Sequence, residues 1–280
     1  MGGIMTTGSR LSARAMRIGA VAALVATAGV VPLAPGAGAS TTTYSGTGYD
    51  VSYPQGKFTP PSGASFAIIG VTHGRPFTTN QYAGYQWSHA GTTSTSLYFN
   101  TGYALAYAKS DTANCKTDSS VYIPTGTSGH TLSALQAAWA IGCSEADYAV
   151  SNQPGIPAMW WADVETGNSW SNDTALNQAT ITGMVTELGQ NSANSGIQVG
   201  IYSTPSMWAS ITGSNFVVSG VSGDWWAGLS TCPSTTTGSF TTNGFTLTGN
   251  SSAPYAPVLV AQNGTTTSGT TTYDTDLGCG

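Results

Sequence analysis

The sequence predicts an α/β fold built on parallel strands, expected as a single (β/α) barrel of the TIM type, least regular in its C-terminal strands. Three observations carry this. Strand-length apolar runs recur along the chain without the alternation of a half-exposed sheet, as parallel strands covered on both faces require. The segment from Ala158 to Ser203 reads strand, helix, strand, which is a parallel βαβ unit. The acidic sequence "WADVE" closes one of these strands, at the end where parallel α/β folds carry their chemistry. An open parallel sheet satisfies the same patterns; a resemblance described below favours the barrel.

In chain order, residues 1–39 read as a secretory signal. Arg10, Arg14 and Arg17 precede the apolar run "IGAVAALVATAGVVPL", and "AGA" at Ala37–Ala39 supplies the small residues of a cleavage site. The run is short for a bilayer-spanning helix of roughly 20 residues. The domain then covers 40–280. Its strand candidates are "YDVSY" (49–53), "SFAIIGVT" (65–72), "TSLYFNT" (95–101), "AMWWADVE" (158–165), "IQVGIYS" (197–203), "DWWAGLS" (224–230) and "APVLVAQN" (256–263). The clearest helix covers 172–193, capped by Asn172 or Asp173, with Leu176, Met184, Val185 and Leu188 on one stripe. A second helical stretch, 131–152, is expected in two pieces. The Thr/Ser/Gly-rich stretches 231–253 and 264–272 read as surface loops.

Charge excludes one class of function. Without the three leader arginines, four basic residues face twelve acids, 4 − 12 = −8, and nothing resembles a phosphate-binding surface. The expected partner is a polysaccharide, not nucleic acid or, once the leader is removed, a membrane. The chain is expected to be monomeric. Four cysteines in an exported chain favour two disulfides. Of three connectivities, Cys115–Cys143 and Cys232–Cys279 are preferred, because each closes a local loop or pins the C-terminus. With no CxxC or HxxxH spacing, no metal is expected, and no cofactor.

Acids are scarce, since only 7% of the chain is charged. Asp163 and Glu165 stand two residues apart, so a strand projects both to one face, and Asp50 sits in the first strand candidate, where it can converge on the same mouth. Carboxyls crowded in an aromatic cleft lose solvation and repel one another, which keeps at least one protonated. Glycosidic cleavage needs such a proton donor beside a negative group that steadies an oxocarbenium-like charge. Stacking on sugar rings is expected from Tyr202, Trp226 and Trp161. No GxSxG, Walker A or GxGxxG motif is present, and His73, His89 and His130 are scattered.

The order "GYDVSYPQ", "FAIIGV", "WWADVE", "VGIYSTPSMW", "DWWAGLS", "VLVAQNG" and "YDTDLG" resembles the family 25 glycoside hydrolases, secreted muramidases that cut peptidoglycan. "LYFNT", "ETGNSWS" and "YDTDLGCG" resemble a divergent exported bacterial subgroup more closely. The resemblance spans about residues 47–280. It implies a barrel with Glu165 as general acid and Asp163 as the carboxylate that assists the substrate N-acetyl group. Asp50 matches the first-strand acid, and the C-terminal acid falls on Asp274 or else Asp276. Tyr202 and Trp226 match groove aromatics, and Gln262 a polar residue of the last strand. Two places depart from the family: "VTHGR" replaces a "KATEG"-type sequence, and Asn100 replaces a Tyr-His pair. The expected function is therefore secreted glycoside hydrolysis of peptidoglycan or a related polysaccharide. A non-catalytic sugar-binding barrel and a cell-envelope interaction protein are the alternatives.

Overall fold

The structure is a computed structural model that describes residues 44–122, 129–213, 216–233 and 256–280. The expected leader, the start near Ser40 and most of the 231–253 stretch lie outside the described residues. Eight strands close into a barrel in chain order: β1 (Ser45–Val51), β2 (Phe66–Gly70), β3 (Thr95–Asn100), β4 (Met159–Asp163), β5 (Gln198–Ser203), β6 (Gly223–Ala227), β7 (Val258–Ser268) and β8 (Thr271–Cys279). β1 to β7 run parallel, whereas β8 is antiparallel to both β7 and β1.

The expected irregularity is thus located. Only Gly269 and Thr270 separate β7 from β8, and two residues can join antiparallel strands but not parallel ones. Register shifts on both sides of β7 accompany the change. The stretch 264–272 is therefore not a loop: it forms the end of β7, the turn and the start of β8. Its threonines favour extended backbone and need no apolar partner, so exposed strand was mistaken for loop.

Helices cover the outside: α1 (Ala83–Ser88), α2 (Ala113–Ser119), α3 (Leu132–Ser151), α4 (Thr174–Gln190) and α5 (Pro205–Thr212). Asp173, one of the two cap candidates, caps α4 by accepting the Ala175 N–H at 3.1 Å. The stretch expected as two helices is one, α3. Its mid-helix Gly142 does not break it because α4 crosses there, and a Cβ at Gly142 would stand 1.8 Å from the Thr180 carbonyl oxygen.

Two apolar layers hold the barrel. Outside, Val51, Ile69, Leu97, Phe99, Trp160, Ala162 and Ile201 pack under Ala146, Ala149, Ile181 and Met184 of α3 and α4. Inside, Tyr44, Phe66, Ile68, Met159, Trp161, Trp225, Leu259 and Val260 fill the barrel. Room for the Trp161 indole comes from Gly200 on the next strand, where a Cβ would lie 2.2 Å from the ring. Both disulfides join the preferred partners, Cys115–Cys143 and Cys232–Cys279. Among the described residues, no helix is long and apolar enough to cross a membrane.

Candidate active site

The two-residue strand period assigns the inward positions. On β4 these are Met159, Trp161 and Asp163, and Glu165 follows in the same direction past the strand end. Asp163 is 4% exposed, and Asn100 at the end of β3 donates from Nδ2 to its Oδ2 at 2.5 Å. Asp163 Oδ1 is buried and has no hydrogen-bond partner among the described residues. The loop after β4 is anchored tightly. Asn168 Nδ2 donates to the Asp163 carbonyl at 3.0 Å, and Trp170 Nε1 donates to the Glu165 carbonyl at 2.9 Å. The Glu165 backbone is fixed while its half-buried carboxyl takes no hydrogen bond from the described residues.

Across the mouth, Asp50 accepts from Gln262 Nε2 at 3.0 Å, and the Tyr202 hydroxyl donates to Gln262 Oε1 at 2.9 Å. Asp276 of β8 lies beside Asp50, whose charge opposes its ionisation. Trp225 Nε1 donates to Asp276 Oδ1 at 2.9 Å. Asp274 lies higher on β8, half-buried, opposite Asp50 in the register.

These acids feel one another. Burial, then repulsion from Glu165 and Asp50, pushes Asp163 well above the ordinary carboxyl value, while hydrogen bonds from Asn100 and Asn168 work the other way. Burial and the Asp274 charge push Asp50 up to about 8. Burial raises Glu165 and Asp274, and burial with the Asp50 charge raises Asp276 far above its usual range. Asp50, Asp163 and Glu165 also all act on the Tyr202 phenol, whose ionisation they oppose together with its burial. The site can hold protons at neutral pH on carboxyls that amides orient. That is acid–base equipment.

The sequence expectations fare unevenly. Asp50, Asp163, Glu165, Asn100, Tyr202, Gln262 and Asp274 meet at one mouth. Trp161 does not line a groove: it is 0% exposed, one inward step below Asp163, and donates from Nε1 to Tyr44 Oη at 3.1 Å. Trp226 does not point inward either. It packs, partly buried, against the outer core, and its neighbour Trp225 takes the inward position, edge-on to Tyr202 at 4.5 Å. Residues not anticipated are Trp225, Tyr98, whose buried phenol lies near Asp50 and Asp163, and Thr72, which bonds Asn100. In the doublet "WW" the inward partner depends on strand register, which no local pattern reveals.

A cavity of about 310 Å³ lined by Trp87, Thr92, Thr95 and Ile156 lies at the N-terminal strand ends, away from the acids. Among the described residues, Cys115, Cys143 and Glu187 are close enough to share an ion, but the disulfide consumes both sulfurs. His73 stacks on Tyr53 at the rim, ring centroids 3.8 Å apart.

Residues 95–253, more than half of the chain, match the family described as lysozyme-like protein 1. No curated protein matches the chain. Among solved structures, the bacterial lysozyme from Streptomyces coelicolor is 19% identical with a TM-score of 0.53, over 85% of this chain and 94% of that one. The muramidase from Trichobolus zukalii is likewise 19% identical, with a TM-score of 0.50, over 84% of this chain and 93% of the other. At such identity the likeness concerns the fold, a closed barrel of the same kind as in these two enzymes.

Proposed function

Because the chain belongs to the lysozyme-like protein 1 family, we propose that it is a glycoside hydrolase that cuts peptidoglycan or a related polysaccharide of N-acetylated sugars. One observation carries the reading. Glu165 and Asp163 leave one strand toward one mouth, the first half-buried and taking no hydrogen bond from the described residues, the second buried and held by Asn100. In this reading Glu165, its proton retained by burial, protonates the leaving glycosidic oxygen. Asp163 supports the developing positive charge, directly or through the substrate acetamido group. Asp50, held by Gln262 and lying beside Asp276, shapes the opposite wall. The reaction class asks for two carboxyls beside one glycosidic bond, one of them carrying a proton. Tyr202, Asn100, Gln262 and Asp274 complete the substrate groove.

The chain works outside the cell in this reading, as a monomeric domain spanning 40–280 that is released from the leader 1–39. Two disulfides and a glycan substrate both suit that compartment. The test is release of reducing ends from purified peptidoglycan by the mature protein and by Glu165→Gln, from pH 4 to 8. Activity in the first, lost by at least a hundredfold in the second, is expected. Wall binding with no turnover in either would make the barrel a sugar-binding protein, and neither binding nor turnover would refute both readings.

A further inference from the structure

Thr72 lies just past the end of β2, 2% exposed, and meets Asn100 twice. The Asn100 backbone N–H donates to Thr72 Oγ1 at 2.9 Å, and Thr72 Oγ1 donates to Asn100 Oδ1 at 2.7 Å. Asn100 Nδ2 then donates to Asp163 Oδ2. Each link restricts the next. With one lone pair of Oγ1 already engaged by the N–H, the hydroxyl hydrogen is directed to the amide and selects its carbonyl oxygen. That turns the NH2 group to Asp163. The reversed amide would set its oxygen against Asp163 Oδ2, an arrangement stable only when Asp163 carries a proton. The orientation of the amide and the charge of the acid are therefore linked.

We propose that Thr72 is a positioning residue for Asp163: its hydroxyl fixes the Asn100 amide, and the amide favours the ionised form of Asp163 by donating to Oδ2, leaving Oδ1 without a hydrogen bond from the described residues. The inference rests on the glycosidase reading for its consequence in catalysis, though not for the link itself. Burial and the charges of Glu165 beyond β4 and Asp50 on β1 oppose the ionisation of Asp163. The neutral phenols of Tyr98 on β3 and Tyr202 on β5 also face it, with Asp274 and Asp276 of β8 behind Asp50. Against them stand the amides of Asn100 and Asn168. Thr72 decides which way the first of these points. The sequence offers no hint of this role, because Thr72 stands in "VTHGR" as an ordinary strand-end threonine.

The test compares the mature protein with Thr72→Val and Thr72→Ser, following the Asp163 carboxyl by 13C NMR, with Asp163→Asn to assign the signal. Loss of one buried hydrogen bond should raise the Asp163 midpoint by about one pH unit in Thr72→Val. Thr72→Ser should titrate like the parent. On peptidoglycan the acid limb of the kcat profile should move up by the same amount, with kcat near pH 6 about tenfold lower and KM unchanged. If Thr72→Val does not fold, Thr72→Ala removes the same hydroxyl and is read in the same way. A folded variant lacking the hydroxyl, with an unmoved Asp163 midpoint, overturns the proposal. A moved midpoint in a protein that never cleaves glycan would refute the glycosidase reading and leave the Thr72 link standing.

Discussion

Gln262 reaches past β8 to give its Nε2 hydrogen to Asp50 Oδ2 at 3.0 Å, joining the last parallel strand of the barrel to the first. The Tyr202 hydroxyl on Oε1 fixes the amide so that it must donate. The bond favours the ionised form of Asp50, yet burial and the Asp274 charge prevail and push the acid up to about 8.

A pH dependence of stability follows. The unfolded chain releases the Asp50 proton near pH 4, and the folded chain keeps it to about pH 8. Between these values the folded state binds the additional proton, so stability falls as pH rises; below about pH 4 the penalty is absent. Urea midpoints should therefore decline from pH 5 to 7.5. Asp50→Asn should flatten that decline by about 1.4 kcal/mol per pH unit, the slope for one proton. An unchanged slope in the variant would show that Asp50 ionises freely in the folded barrel.

The crossing of α3 over α4 predicts a reversal of helix propensity. Alanine normally improves on glycine in a helix by up to about 1 kcal/mol. At Gly142 a Cβ would lie 1.8 Å from the Thr180 carbonyl oxygen, and at Gly183 2.1 Å from that of Trp139. Either alanine forces two backbones apart, so each should cost about 1–3 kcal/mol or more in urea unfolding. Gly189, near the end of α4 with nothing close to its absent Cβ, should gain a few tenths from the same change. Gly142→Ala at parental stability would mean that the helices do not cross in contact.

How much of this was legible follows from the range of each signal. Seven strands could be read because buried parallel strands concentrate apolar residues locally, and the Asp163–Glu165 pair because a period of two is local as well. β8 was missed as a strand: "TTYDTDLGC" alternates polar residues against a barrel interior that is itself acidic at this level. The inward choice of Trp225 over Trp226 and the contact of Thr72 with Asn100 depend on strand register and on approach across 28 residues. α3 appeared interrupted because Gly142 reads as a breaker until the second helix is in place.

Trp161 gives a direct test of interior against groove. It is fully enclosed among Tyr44, Met159 and Trp225, so Trp161→Ala should cost about 3–5 kcal/mol of stability. A groove residue would instead lose glycan affinity and leave the unfolding midpoint in place. Tyr202, partly buried at the mouth, supplies the contrast. Tyr202→Phe removes its bond to Gln262 and frees that amide, which should change the titration of Asp50 more than the stability of the fold.

The two disulfides should differ in consequence more than in magnitude. Chain-entropy arguments give about 3.5 kcal/mol for a separation of 28 residues and about 4 kcal/mol for 47, so Cys115–Cys143 and Cys232–Cys279 should stabilise to a similar extent. Cys115–Cys143 ties α2 to α3 on the outside of the barrel. Cys232–Cys279 pins the end of β8, the strand whose Asp276 lies beside Asp50 and accepts the Trp225 N–H. Replacing both members of either pair with serine should lower the urea midpoint comparably. Only the Cys232/Cys279 double variant should also move the Asp50 midpoint, measured by 13C NMR, since only there does the partner carboxyl gain freedom. Equal titrations in the two variants would place the rigidity of β8 in its hydrogen bonds to β1 and β7 rather than in the disulfide.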